Sequence, residues 1–304
     1  MTASERPGRS SRGKGRQKRS ARPREKRADF VSSSKAQERD GSPSVRAWVW
    51  AAIAAVAVGI LLWQLYPVGS TVPDALSVRV VRSFPHDPEA FTQGLVWHEG
   101  KLYESTGLEG RSSLRRVNLR TGAVEHRRAL DPDVFGEGLA LAAGHLIQLS
   151  WRSGKAFVWD LDTFEPVREH EYRGEGWGLC YDGRRLIMSD GSAWLTFRDP
   201  DTFEQVGEVR VMRAGRPVRR LNELECVDGL VYANVWMTDD IARIDPETGN
   251  VVAWIDASGL LPAAERQGTE DVLNGIAYRA DTGHLLLTGK LWPKIYEVEL
   301  IPAG

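Results

Sequence analysis

From residue 76 onward the hydrophobic positions fall in short alternating or continuous runs. Turn signals bound them: Glu99-Gly100, Ala143-Gly144, Asp182-Gly183, Asp228-Gly229 and Thr282-Gly283. Runs of that length and punctuation predict β-strands. One word also recurs. Phe91-Thr92-Gln93-Gly94-Leu95 returns as Phe135-Gly136-Glu137-Gly138-Leu139, Glu175-Gly176-Trp177-Gly178-Leu179, Leu221-Asn222-Glu223-Leu224 and Leu273-Asn274-Gly275-Ile276. Five copies roughly 40–50 residues apart are the mark of a repeat architecture. Each word opens a strand that runs into one of the turns. A second strand follows, at 102–106, 146–151, 186–190, 230–236 and 285–288, then a third such as 156–160 or 241–245, a further turn and a fourth.

Four antiparallel strands in each of five repeats predict an all-β fold, a five-bladed β-propeller. The last repeat stops after its third strand, at 295–300, while 77–84 precedes the first repeat as an orphan. That N-terminal strand is expected to complete the last blade and close the ring, leaving no open edge. Two connections are longer than the rest, 212–220 and 258–272, the second with a short helix expected after Pro262.

The residues before the repeats change the picture of the whole chain. Residues 1–46 hold 14 Lys/Arg against 5 Asp/Glu, leaving 26 against 36 in the remainder. The first stretch has almost no apolar residues and reads as a disordered basic arm on the cytoplasmic side. Residues 47–66 are apolar except for Gln64, with Trp48 and Trp50 at one end and Trp63 and Tyr66 at the other. That pattern predicts one transmembrane helix at 47–66, a 67–76 linker, and a 77–304 propeller domain outside the cytoplasm. The expected location is therefore the cell membrane, single-pass. An acidic folded part argues against nucleic acid as the main partner, and a monomer is expected. Cys180 and Cys226 are the only cysteines, four residues after Gly176 and Asn222 in consecutive repeats. Adjacent inner strands could bring them within disulfide range, in a compartment where the bond persists.

Strand direction says which residues meet. First-strand starts and second-to-third loops share one face. The starts contribute Gln93, Glu137, Trp177, Asn222 and Asn274; the loops contribute Glu109, Trp151, Asp190, Trp236, Lys290 and Trp292. Indoles with a few converging polar groups are the usual make-up of a ligand site. The first-strand starts also differ from copy to copy, so the scaffold does not demand an acid at Glu137.

At these residues the sequence resembles the plant-type glutaminyl-peptide cyclotransferases, also called glutamine cyclotransferases. The matching words include Phe91-Thr92-Gln93-Gly94-Leu95, Phe135-Gly136-Glu137-Gly138-Leu139, Leu221-Asn222-Glu223-Leu224-Glu225 and Thr288-Gly289-Lys290-Leu291-Trp292-Pro293-Lys294. The resemblance spans about 77–300 and implies conversion of N-terminal glutamine of peptides or proteins to pyroglutamate, with release of ammonia. It implies Glu137 as acid/base, Asn222 and Lys290 as polar partners of the reacting groups, and Phe91, Gln93, Phe135, Trp151, Trp177 and Trp236 as the pocket. It further implies no cofactor for catalysis and a structural calcium ion in the central channel. The rival expectation is a non-catalytic, membrane-anchored propeller that binds peptides or envelope proteins.

Overall fold

The computed structural model describes residues 48–50, 53, 56 and 74–303. The chain divides into two units, Met1–Pro67 and Val68–Gly304. In the first, the described residues Trp48, Val49, Trp50, Ile53 and Val56 are helical. The basic arm and most of 47–66 lie outside the described residues. Among the described residues no helix is long and apolar enough to cross a membrane.

The described residues of the second unit are all-β apart from one 3-10 turn at Ala263–Glu265, directly after Pro262. Strand β1 is Asp74–Pro85. The first repeat gives β2 (Thr92–His98), β3 (Lys101–Thr106), β4 (Ser113–Val117) and β5 (Val124–Ala129). The second gives β6 (Gly136–Ala142), β7 (His145–Ser150), β8 (Lys155–Asp160) and β9 (Pro166–Glu171). The third gives β10 (Leu179–Tyr181), β11 (Leu186–Ser189), β12 (Trp194–Arg198) and β13 (Gln205–Arg210). A separate hairpin follows, β14 (Met212–Arg213) and β15 (Arg216–Pro217). The fourth repeat gives β16 (Leu221–Val227), β17 (Leu230–Val235), β18 (Asp240–Ile244) and β19 (Val251–Asp256). The last gives β20 (Leu273–Arg279), β21 (His284–Gly289) and β22 (Lys294–Pro302).

The first three repeats form separate four-stranded sheets. The last two do not, and this corrects the expectation of a five-bladed propeller closed by an N-terminal strand and preceded by a transmembrane helix. β1 pairs antiparallel with β22 and also parallel with β19, so β16 to β22 and β1 make one eight-stranded sheet. The physical reason is the length of β1. At 12 residues it outruns β22, which it pairs from Leu76 to Pro85, and its first four residues, Asp74 to Ser77, satisfy the free edge of β19.

Sequence explains why the first strands of the repeats sit where they do. β2, β6, β10, β16 and β20 are neighbours in turn, and β20 also touches β2. They approach backbone to backbone. A Cβ on Gly94 would lie 2.5 Å from the Leu139 nitrogen, and one on Gly138 2.6 Å from the Leu179 nitrogen. The recurring glycine is therefore a packing requirement. The following Leu or Ile is fully buried in the apolar layers between sheets, as at Leu95, Leu139, Leu179, Leu224 and Ile276. Across that layer a disulfide joins Cys180 of β10 to Cys226 of β16.

Candidate active site

Four first strands carry a register shift just where their repeat words begin. The shifts fall between Thr92 and Gly94, Gly136 and Leu139, Leu221 and Leu224, and Leu273 and Ile276. A bulge re-aims the side chain it contains. The bulged residues are Gln93, Glu137 with Gly138, Asn222 with Glu223, and Asn274 with Gly275. All of the side-chain-bearing ones are buried. In the third repeat the strand proper starts only at Leu179, which leaves Trp177 in the lead-in.

A cavity of about 440 Å³ opens at these strand starts. Its lining contains Phe91, Gln93, Phe135, Glu137, Trp151, Trp177, Asn222, Trp236 and Lys290 together. Three lining residues were missed by the sequence reading: Arg152, Glu175 and Asp271. Arg152 directly follows Trp151, an adjacency that could have found it; Glu175 and Asp271 carry no spacing signal. Glu109 and Asp190, expected at the same mouth, are exposed and not part of the lining, and Trp292 is buried in the core against Tyr296.

The aromatic walls are interlocked. Phe91 meets Phe135 edge-on at 6.1 Å, Phe135 meets Trp151 at 5.5 Å, and Trp177 meets Trp236 edge-on at 5.6 Å. Glu175 fixes two of the indoles, since one carboxylate oxygen accepts from Trp151 Nε1 at 2.9 Å and Trp177 Nε1 at 3.0 Å. Its other oxygen accepts from Arg152 Nε, and the Arg152 guanidinium stacks on the Trp151 ring at 3.7 Å. Burial pushes the Glu175 carboxyl up, but the hydrogen bonds from Trp177, Trp151 and Arg152 outweigh it and hold the group below its usual range. Glu175 is thus a settled anion.

Glu137 is not settled. Gln93 Nε2 donates to its Oε1 at 3.0 Å, and Gln93 is itself oriented by Asn274 Nδ2, which donates to Gln93 Oε1 at 3.1 Å. The other oxygen, Oε2, is buried with no hydrogen-bond partner. Burial pushes the carboxyl well above the usual glutamate range; Lys290 opposes that shift and Glu175 adds to it. Lys290, only 6% exposed, places its Nζ 4.8 Å from the centre of the Phe91 ring. Burial lowers its pKa, against the pull of Glu137 and Asp271. An acid pushed up and a base pushed down in one apolar cavity is how proton transfer is brought toward neutral pH. The Lys290 loop is pinned by its own backbone, with Lys290 N donating to Val272 O and Asp271 N to Lys290 O.

Glu223 has a different environment. In the register of β16 it stands where other repeats have glycine, and Asn222 stands where Glu137 stands in β6. Its two oxygens accept from the backbone nitrogens of Leu95, at 3.2 Å, and Ile276, at 2.9 Å. It ties three first strands together and does not line the cavity. Among the described residues no group of three His, Cys, Asp or Glu could hold a metal ion. The central acid Glu223 is already engaged by backbone donors.

Known proteins resemble this chain over most of its length. The glutamine cyclotransferase family model matches residues 52–300. A protein of Arabidopsis thaliana described as glutaminyl-peptide cyclotransferase is 45% identical over 231 residues, which is 75% of this chain and 72% of the relative. The crystal structure of Myxococcus xanthus glutaminyl cyclase superimposes with a TM-score of 0.72 at 43% identity, covering 76% of this chain and all of that one.

Proposed function

The chain belongs to the glutamine cyclotransferase family, and we propose from that premise how its cavity works. It is a glutaminyl-peptide cyclotransferase, a transferase that acts on peptides with N-terminal glutamine. The α-amine attacks the γ-carbonyl carbon of the same residue, a C–N bond forms, and the side-chain nitrogen leaves as ammonia. Nucleophile and electrophile are already joined, so the cavity's first task is to hold the side chain folded back. Walls of Phe91, Phe135, Trp151, Trp177 and Trp236 suit that task.

The observation that carries the reading is the unpartnered Oε2 of Glu137 in that cavity. Glu137 takes the proton that the amine loses and delivers it to the departing nitrogen. Gln93 holds the other oxygen and so fixes which one reacts. Lys290 and Asn222 supply donors for the oxyanion of the tetrahedral intermediate. The proton path needs no cofactor. The expected result is ammonia and a pyroglutamyl product from a Gln-initiated dipeptide, at a rate that chelator leaves unchanged. No ammonia would favour the rival, a peptide-binding domain without chemistry.

The protein acts as a monomer outside the cytoplasm, held at a membrane surface by the residues that precede β1. The Cys180–Cys226 disulfide supports an oxidising compartment, and the basic stretch 1–46 followed by the apolar 47–66 supports attachment. Protease accessibility in intact cells tests the location; complete protection would reject it.

A further inference from the structure

Residues 210–220 contain five arginines, Arg210, Arg213, Arg216, Arg219 and Arg220, and no acid. They do so in a part of the chain where Asp/Glu outnumber Lys/Arg by 36 to 26. The stretch is built around the small β14–β15 hairpin, in which Arg213 and Arg216 face each other directly. Like charges placed opposite one another destabilise a strand pair, so packing does not explain the choice. Arg213 stacks on Trp254 at 4.3 Å, and Arg210 lies 5.9 Å from the Trp194 ring. Arg216, Arg219 and Arg220 are exposed and, among the described residues, have neither an ion pair nor a ring contact.

The base of this segment is fastened to the cavity rim. Arg220 N donates to Gly191 O at 2.8 Å, and Trp236 N donates to Arg220 O at 2.8 Å. Gly191 packs beneath the Trp177 ring, where a Cβ would come within 2.7 Å of it. Trp177 and Trp236 are one wall of the cavity, and Asn222, two residues beyond Arg220, lines it. Two residues of chain span at most about 7 Å, so Arg220 stands at the mouth. A peptide whose first residue fills the cavity must carry its following residues out over that rim.

We propose that Arg216, Arg219 and Arg220 form a cationic subsite that selects peptides with acidic side chains just after the N-terminal glutamine. The proposal rests on the cyclotransferase reading of the cavity. Exposed charge pairs are individually weak and screened by salt. Two or three together give a preference of about three- to thirtyfold in kcat/KM, most of it lost at high ionic strength.

The test uses the full-length protein and two tetrapeptides, Gln-Asp-Glu-Ala and Gln-Lys-Lys-Ala, with ammonia release as readout. The expected acidic-to-basic ratio of kcat/KM is above three at low salt and near one in 0.5 M NaCl. Charge reversal in Arg216→Glu/Arg219→Glu/Arg220→Glu should bring the ratio below one. Arg216→Ala, in the hairpin alone, should lower it if the triple variant fails to fold. A wild-type ratio near one at low salt, or a ratio that neither variant changes, overturns the subsite. So does loss of binding to phosphatidylserine vesicles in the charge-reversed protein with the ratio unaltered, which would assign the patch to a lipid surface. Turnover of neither peptide would sink the reading of the cavity itself, and this one with it.

Discussion

Glu137 and Glu104 are the same residue type, both buried and both near a cation, yet their acidities move in opposite directions. Glu104 Oε1 is 2.9 Å from His86 Nε2 and accepts from Thr92 Oγ1 at 2.8 Å, while Arg115 lies 3.8 Å from Oε2. Burial raises its pKa, but the attraction and hydrogen bond of His86, with Arg115 and Thr92, outweigh burial and hold it low. Glu137 has one amide donor and a free oxygen, and burial wins. Burial alone therefore does not make a carboxylate reactive. Each leaves its Oε2 without a hydrogen bond; the difference is that Glu104 has His86 in direct contact, whereas Glu137 has only an amide donor and faces the cavity, where the substrate would reach its free oxygen.

The largest effect should come from removing the unpartnered acid. Glu137→Gln keeps shape and the Gln93 contact but cannot shuttle a proton. Turnover of Gln-dipeptides should fall by on the order of 10²–10⁴, the range for a general acid–base group. The variant should also be more stable than wild type at alkaline pH. The sign follows from linkage: a carboxyl whose folded pKa is raised loses stability as pH rises through that value, and glutamine has nothing to ionise. Melting curves and kinetics on one preparation check both. Turnover within tenfold of wild type would dismiss Glu137 as the shuttle.

The settled pair should show the opposite pattern, a large effect on folding with little chemistry of its own. His86 Nδ1 lies 2.8 Å from Trp292 O and His86 N donates to Pro293 O, so the pair also steadies the loop bearing Lys290. A carbonyl oxygen accepts only, and Glu104 is held ionised, so both ring nitrogens donate and His86 is an imidazolium. Burial lowers its pKa, but Glu104, the Trp292 carbonyl and Asp87 more than reverse that. The Glu104 contribution is present above its unfolded value of 4.5 and is lost as pH falls through the depressed folded value. The His86 contribution is present below 6.5 and is lost as pH rises through the raised folded value. Glu104→Gln should therefore cost most between those two values, about 3–5 kcal/mol for breaking a buried pair. The Tm difference from wild type should shrink on either side. A difference independent of pH would mean that the pair is not ionised.

Much of this contrast was legible in the sequence, and the rest was hidden for identifiable reasons. The repeat words could be read because the close approach of first strands imposes glycine at Gly94, Gly138, Gly178 and Gly275. The cavity residues could be read because strand direction alone sends Glu137 and Lys290 to one face. Glu175 could not, since its role is set by the indole nitrogens of Trp151 and Trp177, and side-chain hydrogen bonds across repeats leave no spacing signal. The joining of two sheets by β1 was equally hidden: the alternation of a strand says which face is buried, not which second edge it will meet. The place of Glu223 was hidden too: only the bulge register shows that Leu224 takes the place of Leu139 and Glu223 that of the glycine.

That register yields the smallest expected effect and the finest test of the contrast. Glu223 resembles Glu137 in one respect, for burial, with the neighbouring Glu225 adding to it, raises its pKa well above the usual range. It differs in having both oxygens occupied, by the Leu95 and Ile276 nitrogens, which lower the pKa without overcoming burial. If a free oxygen facing the cavity is what makes an acid catalytic, Glu223 should matter to the fold and not to the proton. Glu223→Gln keeps an acceptor for one backbone donor and should leave kcat within about tenfold of wild type, well short of the loss from Glu137→Gln. Glu223→Ala leaves two buried N–H groups without an acceptor, at about 1–3 kcal/mol for each that water does not reach. Denaturant midpoints of the two variants should fall in the order glutamine above alanine, with turnover per folded molecule retained in both. A Glu223→Gln protein that folds like wild type but loses turnover as deeply as Glu137→Gln would end the distinction drawn between the two acids, and with it the case that a free oxygen in the cavity, not burial, makes the acid reactive.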